Sequence, residues 1–296
     1  MTDHRTVTSA DGLTLAVWEH GDPTDPTVVL VHGYPDTHRV WDGVVAELSG
    51  SHHVVTYDVR GAGASEVPRD RAGYDLDRLS EDLVAVVDAT CPDGPVHVVG
   101  HDWGSVQAWE PVCTGALGDR LATYTSMSGP GLDHVGHWVR SRRAGERGGR
   151  RELLRQGLHS WYVAFFQLPG IAPFGWRHLA ERPFRRYLRR VEGLGPQAQP
   201  GPTLPEDGAN GVELYRRNVR PRLSHPQERR TDVPVLLIVA TRDRYVTPGL
   251  LDDLDRHCSD LRRVDVDASH WLPAAQPEVV AALVAEHVAV GKSRGS

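Results

Sequence analysis

Cysteine is scarce. Cys91, Cys113 and Cys258 are the whole complement of the 296 residues, too few and too scattered for a disulfide framework or a thiolate metal site, and in keeping with a reducing compartment. No stretch approaches the roughly 20 apolar residues that a membrane-spanning helix needs. The opening MTDHRTVTSADG lacks the basic and apolar regions of a secretory signal. A soluble, cytoplasmic chain without a membrane span is expected. Excess positive charge is also missing: 33 Lys and Arg against 39 Asp and Glu give a net charge of −6, which offers no reason to expect nucleic acid or an anionic membrane as partner. The arginines do gather in RSRRAGERGGRRELLR (140 to 155) and RPFRRYLRR (182 to 190), which read as solvated helical surface.

What is present is enough apolar material, 40% of residues, for one large domain or a core with an insertion. Over the first 130 residues short β-rich runs alternate with helical patterns. LTLAVWEHG (13 to 21), TVVLVHG (27 to 33), HHVVTYDVRG (52 to 61), VHVVGHD (96 to 102) and LATYTSMSG (121 to 129) read as strands. Leu76, Leu79, Leu83, Val86 and Val87 fall at helical spacing. Such alternation predicts an α/β fold with a mostly parallel sheet covered by helices on both faces. From about 131 to 230 the pattern turns to arginine-rich helical segments broken by Gly and Pro, with 195 to 211 reading as a long loop. VPVLLIVATRD (233 to 243) and LRRVDVDASH (261 to 270) resume the strand pattern before a last helix near Pro277 to Val290. The expected organisation is a core of residues 1–130 and 231–296 carrying a helical cap, residues 131–230.

Gly100-His101-Asp102-Trp103-Gly104 follows a predicted strand and precedes a predicted helix, the setting in which small neighbours let a sharp turn lift one side chain above the sheet. Alone it could be a turn with a capping aspartate. Asp243 ends the strand VPVLLIVATRD, and His270 lies in DASHWLP after the following one, so nucleophile, acid and histidine run in hydrolase chain order. All three sit after strands, where open α/β sheets place their sites. His32-Gly33-Tyr34-Pro35 follows another strand, and the backbone N–H of Tyr34 could join that of Trp103 in an oxyanion hole.

With HGYP, DVRGAGAS (58 to 65), GHDWGS, TRDRYVTP and ASHWLP in both core segments, the chain resembles epoxide hydrolases of the α/β-hydrolase fold. Haloalkane dehalogenases share most of these features. A carboxylate nucleophile suits displacement at saturated carbon: Asp102 would open an epoxide or expel a halide to leave an alkyl ester, and His270, oriented by Asp243, would activate the water that hydrolyses it. An epoxide leaves as a strongly basic alkoxide and needs an acid donor, which a tyrosine can supply while protonated at neutral pH. The resemblance implies two. Tyr162, in SWYVAFFQLPG, resembles the family's first cap tyrosine, and Tyr215, with Arg216 and Asn218, its Tyr-Arg-x-Asn motif. Tyr34 stands where dehalogenases often carry Asn. Trp103 fits either family.

The pocket is expected to be apolar, with His32, Pro35, Trp41, His101, Trp161, Phe166 and Trp271 as candidate walls, and Trp138, Phe165 and Trp176 nearby in the same reading. His134 and His137 have an i, i+3 spacing compatible with a metal, but no third ligand is apparent. No metal and no cofactor are expected. The implied partners are a small to medium hydrophobic epoxide and water; a homodimer is compatible with the sequence. A haloalkane dehalogenase, and a non-catalytic receptor or cyclase on the same scaffold, remain as alternatives.

Overall fold

The computed structural model describes residues 4–294. Eight strands, β1 (Arg5–Thr8), β2 (Thr14–His20), β3 (Thr27–Val31), β4 (His53–Tyr57), β5 (Val96–His101), β6 (Leu121–Met127), β7 (Val235–Ala240) and β8 (Leu261–Val266), form one sheet in the order β1-β2-β4-β3-β5-β6-β7-β8. β1 and β2 are antiparallel to their neighbours, and from β4 to β8 every pairing is parallel. The central strands are continuous apolar runs because both faces are covered. In β3, Val29 and Val31 enter one apolar layer while Val28 and Leu30 enter the other; in β7, Val235, Leu237 and Val239 alternate with Leu236, Ile238 and Ala240 in the same way. The first layer is closed by α2 (Leu76–Thr90) and α3 (Trp103–Thr114), the second by α1 (Asp42–Leu48) and α11 (Pro277–Arg294). The α2 residues picked out by their spacing, Leu76, Leu79, Leu83, Val86 and Val87, are all buried. β1 escaped the sequence reading because only Val7 of its four residues is buried.

Between β6 and β7 the chain is helical: α4 (Leu132–Arg143), α5 (Gly149–His159), α6 (Trp161–Phe166), α7 (Ile171–Gly175), a π-helical turn at Trp176–Ala180, α8 (Glu181–Arg190) and the long α9 (Leu204–Ser224). Two expectations need correction here. The segment 195–211 is not one long loop, since α9 begins at Leu204. Its glycines are not breakers but contact points. A Cβ on Gly208 would lie 2.3 Å from Trp176 Cδ2, and one on Gly211 would lie 2.4 Å from Tyr34 Cδ2, so both aromatic rings rest directly on the helix backbone. The arginine-rich stretch is not uniformly solvated either: Arg142 is fully buried and donates from Nη1 to Asp253 Oδ2 at 2.7 Å. A charge so buried requires such a partner.

Parallel pairing brings the C-terminal ends of β3, β5, β7 and β8 to one edge of the sheet. The segments bearing Tyr34, Asp102, Asp243 and His270 follow these four ends, and all four residues meet there.

Candidate active site

Between the end of β5 and the first residue of α3 only Asp102 remains, at φ 50 and ψ −125, a region that costs a non-glycine residue about 1–3 kcal/mol. The neighbouring glycines make the turn feasible. A Cβ on Gly104 would fall 2.1 Å from the Val31 carbonyl oxygen, and one on Gly100 would fall 2.5 Å from Ser105 Cα. Ser105 fastens the first turn of α3 through Oγ, which meets Tyr124 Oη and Ser126 Oγ at 2.8 Å each and donates to the Gly129 carbonyl at 2.7 Å. The strained carboxylate therefore stands on a rigid base.

Asp102 Oδ1 accepts the Tyr34 backbone N–H at 2.8 Å, and its Oδ2 lies 3.5 Å from His270 Nε2. On the far side of the ring His270 Nδ1 is 2.9 Å from Asp243 Oδ2, while Asp243 Oδ1 accepts the N–H groups of Tyr245 at 2.7 Å and Val246 at 3.0 Å. Burial opposes charge on both partners, but it is outweighed. The facing imidazole and the two backbone donors hold the Asp243 pKa below the ordinary carboxylate value, and the two aspartates raise that of His270 well above the ordinary histidine value. The imidazole of His270 thus stands between the carboxyl groups of Asp243 and Asp102.

Five tyrosines complete the walls. A cavity of about 730 Å3 contains Asp102 and His270 and is lined by Tyr34, Tyr162, Tyr187, Tyr215 and Tyr245 among apolar side chains. Tyr215 is wedged by edge contacts with Trp103, Phe166, Tyr34 and Tyr162, at ring separations from 4.8 to 5.8 Å. Burial raises the phenol pKa of both Tyr162 and Tyr215, and the nearby Asp102 carboxylate adds to the effect, so both stay protonated well beyond neutrality. The Tyr-Arg-x-Asn pattern has a local rationale. Arg216 donates to the carbonyls of Phe166 and Leu168, tying the end of α6 to α9, and Asn218 accepts the Leu76 N–H at 3.0 Å and donates to the Tyr74 carbonyl at 2.8 Å. The motif fixes the two helices that carry the tyrosines.

Of the candidate walls, Pro35, Trp161, Phe166 and Trp271 line this cavity, as do Phe165 and Trp176. His32, Trp41 and His101 do not. His32 is consumed by backbone, donating from Nδ1 to the Gly33 carbonyl and accepting the Val59 N–H at Nε2, both at 2.8 Å. His101, whose pKa burial lowers to about 4, is neutral and donates from Nε2 to the His270 carbonyl at 2.8 Å. Trp41 is fully buried in the layer below, edge-on to His101. Both rings support the loop that carries His270 from beneath. The Trp103 ring also sits outside the cavity, behind Tyr215, and its N–H opens α3, where no intrahelical acceptor exists. Trp138 is pinned elsewhere by its bond to the Gly249 carbonyl. His134 is packed between Trp109 and His257 with Nε2 on the Arg229 carbonyl, and among the described residues no group of three or more His, Cys, Asp or Glu could hold a metal ion.

Two residues, Tyr245 and Asp36, and the side-chain role of Tyr34 escaped the sequence reading. Tyr245 packs edge-on against His270 and Tyr162, at 4.7 and 5.5 Å; it lies in the TRDRYVTP segment, two residues after Asp243, and that was the available signal. The Tyr34 side chain donates its hydroxyl to the Gly208 carbonyl of α9 at 2.8 Å. Asp36 accepts the Trp271 indole N–H at 2.8 Å, and burial pushes its pKa up to about 7. A groove of similar size, about 710 Å3, edged by Asp11, Glu66 and Arg78, shares no residue with this site.

Sheet order, the strained aspartate after β5, the acid after β7 and the histidine after β8 define an α/β hydrolase. The chain belongs to the alpha/beta hydrolase fold family, whose family model matches residues 26–274. Within it the chain is epoxide hydrolase-like. It is 30% identical over 317 residues to Epoxide hydrolase A of Mycobacterium tuberculosis (strain ATCC 25618 / H37Rv), covering 93% of this chain and 94% of that protein. It is 39% identical over 288 residues to Probable oxidoreductase EphD of the same organism, covering 95% of this chain but 48% of that protein. The chain thus spans about half the length of that relative. Among solved structures it resembles an epoxide hydrolase from metagenomes of hot environments, with a TM-score of 0.79, 22% identity, and 97% and 99% of the two chains covered; that likeness concerns the fold. Cys91, Cys113 and Cys258 are free thiols, and no helix among the described residues is long and apolar enough to cross a membrane.

Proposed function

We propose that the protein is an epoxide hydrolase that converts a small to medium hydrophobic epoxide to a vicinal diol, with residues 131–230 acting as a cap over a core of residues 1–130 and 231–296. The observation that carries this reading is that two protonated phenols, Tyr162 and Tyr215, share one largely apolar cavity with Asp102 and His270. With Oδ1 held by the Tyr34 N–H, Oδ2 is the attacking oxygen. It forms a C–O bond to one epoxide carbon as the ring C–O bond breaks, and the departing oxygen takes a proton from a tyrosine.

Esterification removes the charge of Asp102 and with it one of the two carboxylates that keep His270 protonated. His270 then sheds its proton to solvent and becomes a base. It draws a proton from water as the water oxygen adds to Asp102 Cγ, with the negative oxygen held by the Tyr34 and Trp103 N–H groups. Collapse breaks the bond from Cγ to the alkyl oxygen, which takes the proton back from His270. The diol leaves, the new Asp102 carboxyl group passes its proton to His270, and the tyrosinate takes back from solvent the proton that His270 had released, so the starting state is restored.

The dehalogenase reading needs weak donors facing the leaving group, and the Trp103 ring lies outside the cavity. The test is a panel of aryl and alkyl epoxides assayed for diol with wild type and Asp102→Asn. Diol from wild type and none from the variant is expected. Halide release from haloalkanes with no diol from any epoxide would establish the dehalogenase instead, and neither activity would leave a receptor or cyclase.

A further inference from the structure

The net charge of −6 conceals a division. Residues 131–230 contain nineteen arginines against nine Asp and Glu, a formal +10, which leaves −16 for the rest of the chain. The same region holds most of the exposed apolar bulk. Of the eleven large hydrophobic residues that are exposed among the described residues, eight lie from Leu154 to Leu179. Apolar surface concentrated in this way marks an interaction site rather than ordinary scatter.

The two features interleave on single helix faces. On α5, Leu154 and Leu158 are 67% and 69% exposed and stand at four-residue spacing with Arg150, while Arg151 and Arg155 flank them. Further along, Leu179, 68% exposed, shares a face with Arg182 and Arg186 at i+3 and i+7. Arg150, Arg151, Arg155, Arg182 and Arg186 make no ion pair among the described residues, unlike Arg142, Arg177 and Arg185. Their charge is available to a partner. The patch is also continuous with the cavity: Leu158, Trp161, Phe165 and Leu179 are exposed and yet line the space that contains Asp102. Exposed apolar side chains interleaved with unpaired arginines, with the exposed Trp161 among them, are the composition of an element that lies in a lipid interface.

We infer that the cap face formed by α5, α6, α7 and the start of α8 docks on an anionic lipid surface, with the mouth of the cavity turned toward the lipid. The charge division sets the orientation, since the positive cap is drawn to anionic headgroups while the negative core is held away. Docking rests on this surface alone and not on the reaction assigned to Asp102, so its test reads binding.

The protein is floated with phosphatidylcholine vesicles and with vesicles containing about one-third phosphatidylglycerol, at about 0.05 M and about 0.5 M salt. Binding to the anionic vesicles at low salt is expected, with more than a tenfold loss in high salt and on pure phosphatidylcholine. Two variants separate the contributions. Arg150→Glu with Arg151→Glu and Arg155→Glu is expected to weaken binding more than tenfold, and Leu154→Ser with Ile171→Ser and Phe174→Ser to do the same, each with an unchanged thermal unfolding midpoint because all six side chains are exposed. No binding to anionic vesicles at low salt, or equal binding by wild type and both folded variants, would overturn the inference. So would a concentration-dependent dimer in sedimentation that the serine variant abolishes while vesicle binding is absent, since the face would then be covered by a second copy.

Discussion

Tyr34 places its backbone N–H 2.8 Å from Asp102 Oδ1 and sends its hydroxyl 2.8 Å to the Gly208 carbonyl of α9. One residue therefore holds the proposed nucleophile and anchors the helix that carries Tyr215. Tyr34→Phe keeps the first bond and removes the second, leaving the Gly208 carbonyl with its helical donor alone. A stability loss of about 0.5–1.5 kcal/mol is expected, with KM for the epoxide rising more than kcat falls. Denaturant unfolding and steady-state kinetics check it; an unchanged midpoint with a collapsed kcat would place the hydroxyl in the chemistry instead.

Gly211 touches the ring of the same tyrosine from the helix side. Gly211→Ala puts a methyl 2.4 Å from Tyr34 Cδ2, and the ring cannot retreat because Phe166, Trp176 and Tyr215 surround it. Although alanine favours helix, overpacking is expected to cost about 1–3 kcal/mol. A gain in thermal stability would show that the ring is free to move.

The two phenols are expected to share the leaving oxygen. Tyr162→Phe and Tyr215→Phe should each lower kcat/KM on an epoxide by about tenfold to a hundredfold, and the double variant by more than about a thousandfold. Because burial raises both phenol pKa values, ionisation of these donors should cause no fall in wild-type rate as pH rises toward 10. Undiminished turnover by the double variant would remove the tyrosines from the reaction.

Asp36 offers a pH test of stability. Its folded pKa of about 7 exceeds the ordinary 3.8 because burial disfavours the charge. The folded state thus holds the proton more tightly than the unfolded chain, and the carboxyl lowers stability progressively from about pH 4 to about pH 7, by at most on the order of 4 kcal/mol. Asp36→Asn can still accept the Trp271 N–H. Its unfolding temperature should match wild type near pH 4 and exceed it by several degrees at pH 8; a constant difference at both would refute the shift.

Much of this site was legible because the sheet imposes a strong grammar. Apolar runs buried on both faces must stop where the chain reaches the edge, so Asp102, Asp243 and His270 announced themselves by standing just beyond Val99, Ala240 and Val266. Side-chain direction announces itself far less. Trp41 and His101 were as plausible as pocket walls as Trp161 and Trp271, and only packing shows that the first pair supports the loop from below while the second faces the cavity. Gly208 and Gly211 misled for a related reason. A glycine in a helix reads as a breaker unless one knows that an aromatic ring from elsewhere lies against it. Net charge misled by summation, since the whole-chain figure averages a positive segment, residues 131–230, with a negative remainder.

The central claim is a covalent ester on Asp102 that His270 must resolve. His270→Gln keeps Asp102 able to attack but removes the base, so the variant mixed with an epoxide that wild type hydrolyses should accumulate a species heavier by the mass of one epoxide, localised by peptide mapping to the segment containing Asp102. Intact protein of unchanged mass, under conditions where wild type turns over that same epoxide, would contradict the covalent account.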